Sequence, residues 1–247
     1  MRQTVKSVVG KCLVCKRWKS KAFPTIAPPD LPSYRVNCVE PFAVTGVDYT
    51  GAVTIRSKVG THSMSKVYIV LFTCAVTRAI HIEIAEDLSC VTFLKVFRRF
   101  CGRRSFPTLM LSDNATYFTA AAKFLHNIMT EEDVVNYLGG SGCEWKFIPQ
   151  RAPWFGAIWE RCIGIVKAGV NKVLGRALVT YDELHTVLVE LEATINDRPL
   201  TYPSGELQDP EALTPSHLLN GRRLRPYPLL AKAEDLNDPD FDMSQGG

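Results

Sequence analysis

The chain has 247 residues, 46% hydrophobic and 22% charged, ordinary proportions for a globular protein that buries a sizeable core. No stretch is long and apolar enough to span a bilayer, and the basic N-terminus lacks a signal-peptide pattern, so a membrane-embedded chain is excluded and a soluble, intracellular protein is expected. The net charge of +4 is modest but unevenly spread: no acid precedes Asp30, whereas five acids from Glu234 to Asp242 face only Lys232 in the tail.

In chain order, the first segment, residues 1–22, is basic and carries "CLVC", with Cys12 and Cys15 spaced as a Cys-x-x-Cys pair. The other six cysteines are scattered, several in apolar runs, and the whole set is expected to be reduced. Pro24, Pro28, Pro29 and Pro32 then crowd one short span, which marks residues 23–40 as an extended linker.

Strand signals follow. "FAVTGVDYTG" and "KVYIVLFTCAV" are apolar runs, the second continuous enough for the centre of a sheet. "AIHIEIAE" alternates Ile80, Ile82 and Ile84 with His81 and Glu83, the pattern of a half-buried strand with the histidine outward; a hairpin near Thr77–Arg78 would join it to the strand before. "SCVTFLKVFRRFCGRR" reads as a helix with Val91, Leu94, Phe97 and Cys101 on its inner stripe. "TLML" is the fourth strand, "AAAKFLHNIM" a helix and "EWKFIP" a short fifth strand. Two helices close the pattern, "FGAIWERCIGIVKAGVNKVLGR" and "TYDELHTVLVELEATIN". The second opens with Thr180 and Glu183 in capping-box spacing and buries Leu184, Leu188, Leu191 and Ile195. The order of elements predicts a mixed α/β domain, a five-stranded sheet flanked by helices.

Three acids stand out on this frame. Asp48 lies in or just after the first strand, Asp113 follows the fourth, and Glu160 sits near the start of the long helix. On that helix Glu160, Gly164, Lys167 and Asn171 share one narrow face, while Ile158, Cys162, Ile165, Val166, Val173 and Leu174 fall elsewhere and can pack on the sheet. Two strand carboxylates and one helix carboxylate suit magnesium, which takes oxygen ligands and is usually held by a few carboxylates, waters and substrate phosphate. Two such ions would clamp the attacking and leaving oxygens of a phosphoryl displacement. The plainer reading of each acid alone is turn chemistry, since an aspartate after a strand is a good turn residue. Trp159 is expected in the core, and Trp154 and Phe155 as base-stacking residues in a loop. His81, His126, His185 and His217 are expected as surface or internally satisfied residues.

"GVDYTG", "LSDNATYF" and "FIPQRAPWFGAIWERCIGIVK" together resemble the three acid-bearing motifs of a retroelement integrase catalytic core. The 47-residue step from Asp113 to Glu160, the "RAPWFGAIWE" wording, "INDRPLTY" and "LTPSHLLNGR" resemble the BEL/Pao group of LTR retrotransposons, over residues 2 to 230. The resemblance implies a ribonuclease-H-like core at residues 41–200 and a C-terminal extension at 201–247. Asp48, Asp113 and Glu160 would be catalytic metal ligands for magnesium or manganese. Asn114, Lys167 and Asn171 would contact DNA, the last as the weakest assignment. The implied activity is that of a polynucleotidyl transferase: DNA 3′-end processing and strand transfer, by a homo-oligomer acting in the nucleus. Such integrases also resemble one another in an N-terminal His/Cys zinc module. Here Cys12 and Cys15 supply only the cysteine half of a zinc site, because the first histidine is His62. A truncated zinc module is the expectation, with zinc bound only if a histidine pair precedes it in a longer protein. The alternatives are a related nuclease or transposase, and a decayed or domesticated copy that only binds nucleic acid.

Overall fold

The computed structural model describes residues 2–13, 40–57, 63–129, 142–149, 157–201 and 211–224. Cys15, most of the linker, Trp154, Phe155 and the acidic tail lie outside the described residues. The chain divides into two compact units, Met1–Pro32 and Ser33–Gly247. The first contains helix α1 (Arg2–Lys11), with Cys12 half-buried just beyond it.

The second unit is built on five strands: β1 (Val44–Arg56), β2 (Met64–Cys74), β3 (Ile80–Ala85), β4 (Leu109–Ser112) and β5 (Glu144–Phe147). Their order across the sheet is β3-β2-β1-β4-β5. The first three pair antiparallel as a meander, and β4 and β5 add in parallel on the other side of β1. The mixed sheet arises because the first connections are short, whereas β4 and β5 are reached through helices α2 (Cys90–Arg104) and α3 (Thr116–Met129). Helices α4 (Ala157–Leu174), α5 (Tyr181–Asn196) and the short α6 (Pro215–Asn220) follow. This is the expected α/β architecture, a five-stranded mixed sheet flanked by helices.

Alternation along the strands divides the core in two. One face carries Val44, Leu71, Ile82, Leu109 and Leu111, packed under Trp159, Cys162, Val166 and Val170 of α4 and Leu184 and Leu188 of α5. The other carries Val47, Val70, Phe72 and Met110 under Phe93, Phe97 and Phe100 of α2 and Phe118 of α3. Phe72 and Phe100 stack there with centroids 4.2 Å apart.

Several expectations need correction. The inner stripe of α2 is Phe93, Val96, Phe97 and Phe100, while Val91 is exposed, because the sheet takes the face with the largest aromatic area. On α4, Ile165 and Val173 are exposed and Ile163 and Val170 are buried. Helix α3 begins earlier, at Thr116.

The largest correction concerns β3. It is buried on both faces, and His81 is 2% exposed rather than outward. Arg99 donates to Glu83 at 2.6 Å, Arg103 donates to it at 3.1 Å, and His81 lies between Glu83 and Glu192, with Arg104 also on Glu192. Burial favours the neutral imidazole, but the hydrogen bonds to Glu192 and Glu83 outweigh it and raise the His81 pKa. Helix α5 also covers the outer edge of β3. Asn196 accepts from the Ile80 N–H and donates to its carbonyl, both at 2.8 Å, and Glu192 accepts from the Ile82 N–H at 2.7 Å. One turn of helix thus supplies side-chain partners where a neighbouring strand would supply backbone.

Candidate active site

Asp48 sits within β1 rather than at its end, and the position is set by register. Val44 pairs with Leu109, Thr45 with Met110 and Gly46 with Leu111. The same offset, continued past the end of β4, sets Asp48 level with Asp113. Parity then decides the face: Val44, Leu109 and Leu111 belong to the α4 side, so positions 48 and 113 fall on that side too. Immediately after Asp48 the β1–β2 register breaks between Tyr49 and Ala52, an irregularity of the kind that bends a strand beside a site.

The long helix meets this region through its first turn. Trp159 is 2% exposed and lies directly against Gly46; a Cβ on that glycine would fall 2.4 Å from the indole Cε3. Glu160 is the next residue and is exposed, as are Gly164, Lys167 and Asn171, so the polar stripe on α4 faces outward.

The electrostatics join these groups. The Asp48 carboxyl is pushed up to about 6, chiefly by burial, against the pull of the Tyr49 N–H. The charges of Asp113 and Glu160 add to the rise, and Lys167 opposes it. Asp48 Oδ1 accepts from Tyr49 N at 2.7 Å, and Asp113 Oδ1 accepts from Ala115 N at 3.0 Å. The second contact is the turn chemistry that an aspartate in this place can perform, and it also fixes the side chain. Asn114 donates Nδ2 to the Ile148 carbonyl at 2.7 Å, tying the loop after β4 to the end of β5.

One residue of this neighbourhood was not singled out from the sequence. Tyr117, in the first turn of α3, has its hydroxyl pushed up to about 12, first by burial and then by the charges of Asp113 and Asp48. Its place in "SDNATYF", four residues after Asp113 and one helical turn on, was the available signal.

Oxygen-only donors suit magnesium or manganese, and a half-buried carboxyl that resists ionisation gains from a nearby cation. The three acids fit such an ion chemically. Among the described residues, no three His, Cys, Asp or Glu side chains are gathered into a ready metal cage. Any ion held here would take its protein ligands from three separate elements and the rest of its oxygens from water and substrate.

No protein-family model matches the sequence, and no curated protein matches it. Solved structures share its fold. A chain of the simian T-cell lymphotropic virus intasome, solved in complex with the PP2A regulatory subunit B56 gamma, superposes with a TM-score of 0.53 at 14% identity, over 94% of this chain and 71% of that one. The HTLV-2 integrase catalytic core domain in complex with magnesium matches at 14% identity, over 73% of this chain and 98% of that one, with a TM-score of 0.46, too low to add to the argument. At this identity the likeness defines the fold alone, a ribonuclease-H-like mixed α/β sheet flanked by helices.

Proposed function

We propose that the chain is the catalytic core of an integrase from a BEL/Pao-type LTR retrotransposon, which processes DNA 3′ ends and joins them to target DNA. The observation that supports the reading is the β1–β4 register, which sets Asp48 level with Asp113, together with the packing of Trp159 on Gly46, which brings the first turn of α4 and Glu160 to the same face of β1. Asp48, Asp113 and Glu160 would hold one or two magnesium or manganese ions. Such ions, when bound, activate an attacking hydroxyl and stabilise the leaving oxygen of a phosphodiester.

The protein's own part is position and charge. Asp48 in β1 and Asp113 just past the end of β4 stand level, each anchored through one oxygen to a backbone N–H, so their carboxylates would take a cation with little rearrangement. Lys167 and Asn171, exposed beyond Glu160 on the same helix face, would lie along the DNA backbone, with Lys167 contacting phosphate as a point charge. Asn114 would act on DNA through the loop that its bond to Ile148 orders. The chain would work as a homo-oligomer on nuclear DNA. Cys12 and Cys15 would complete a zinc site only with further ligands.

The test is joining of a labelled DNA end to a target duplex by the purified chain. Product should form with magnesium, vanish with a chelator, and be lost in Asp113→Asn while the melting curve stays cooperative. Activity retained in the folded Asp113→Asn variant would remove that residue from the chemistry. DNA binding without joining in the wild-type chain would leave a nucleic-acid-binding protein in place of an enzyme.

A further inference from the structure

We infer that Gly46 is a positioning residue for the metal-binding carboxylates, acting through its contact with Trp159. The inference rests on the proposed function and extends it to a residue outside the acid set. Gly46 lies two residues before Asp48, on the same face of β1, and its Cα is the floor on which the Trp159 indole rests. A Cβ there would meet Cε3 at 2.4 Å and Cζ3 at 3.0 Å, closer than carbon atoms pack.

The φ of Gly46 lies outside the left-handed region, so the backbone does not demand glycine; only the space does. Trp159 cannot swing aside freely, because it is packed within the cluster that includes Val44, Leu109, Leu111 and Cys162. The indole therefore fixes how low the first turn of α4 sits over β1. Glu160 is the neighbour of Trp159 on the helix, and Asp48 is the next residue after Gly46 on the same face of the strand. The contact thus sets the separation of two carboxylates carried by different elements. A side chain at position 46 would lift the helix end and open that spacing, with both acids still present.

The experiment uses the full chain and Mn2+ as probe. Binding is measured by isothermal titration on wild type, Gly46→Ala and Gly46→Ala/Trp159→Phe, each with a thermal melt. Gly46→Ala should bind Mn2+ about tenfold more weakly, the size seen when groups that orient metal ligands are changed. The double variant, with a smaller ring over the new methyl, should return to within about threefold of wild type. In DNA joining, the single variant should lose kcat and need more Mn2+, with KM for DNA unchanged.

If Gly46→Ala does not fold, the double variant is measured in its place. It is then expected to fold and bind near the wild-type level, and folded but tenfold weaker binding would overturn the inference. A lower melting temperature in Gly46→Ala with unchanged Mn2+ affinity would make the contact merely structural and also overturn it. Failure of the wild-type chain itself to bind Mn2+ would overturn the functional reading beneath it.

Discussion

Asp48 carries a cost that its function would explain. Its carboxyl has an ordinary value of 3.8 and is raised to about 6 in the fold. Between those values the folded chain keeps a proton that the unfolded chain has lost. Stability should therefore fall as pH rises from about 4 to about 6, and above that range the ionised carboxylate should cost about 3 kcal/mol without metal. Asp48→Asn should remove this step: urea denaturation in chelator at pH 7 should find the variant more stable by roughly that amount. Divalent ions should raise the melting temperature of wild type and leave that of Asp48→Asn nearly unmoved. Lys167 is tested on DNA instead. Its exposed position beyond Glu160, and the reach of its charge to Asp48, set it beside the acids. Lys167→Ala should weaken binding to all duplexes alike and reduce the slope of log K against log salt by about one unit. An unchanged slope would mean that the lysine faces solvent alone.

Edge strand β3 shows how a helix replaces a strand. Removing the Asn196 amide would orphan the N–H and the carbonyl of Ile80, so Asn196→Ala should destabilise by about 2 kcal/mol in chemical denaturation. Glu83→Gln should cost a similar amount, about 2 kcal/mol, the half-exposed Arg99 and Arg103 limiting the loss. It should also change the pH profile. The His81 pKa is raised above 6.5, so the stability from its charged form is complete below that pH and drains away as pH rises through the folded value. Wild type should therefore weaken above pH 6.5 more steeply than Glu83→Gln. None of this network was legible in the sequence: period-two alternation reports that His81 and Glu83 share a face, but not that α2 covers it. The same limit misassigned the inner stripe of α2, where several apolar stripes compete and the opposing sheet chooses. What was legible was local. The capping box of Thr180 and Glu183 forms as read, because both partners lie within one turn. Apolar runs and period-two alternation marked the five strands of the sheet, and Trp159 lies in the core.

At the scale of the whole molecule, the two faces of the sheet do different work. The α2–α3 face is an aromatic core, and the α4–α5 face places the acid-bearing helix over β1. The three acids could be picked out from the sequence as a set, since each lay beside an apolar element of recognisable type. Their expected convergence at one sheet edge rests on the parallel β1–β4 register, which no local pattern in the sequence carries. The central claim is that this layout gathers a divalent ion between strands β1 and β4. Anomalous diffraction from crystals of the chain grown in Mn2+ with a DNA end bound tests it most directly. The expected result is a peak within coordination distance, about 2.0–2.3 Å, of carboxylate oxygens from both Asp48 and Asp113, with Glu160 reaching the same region. Saturating Mn2+ with no peak between the two aspartates, or with the ion held elsewhere, would contradict the account.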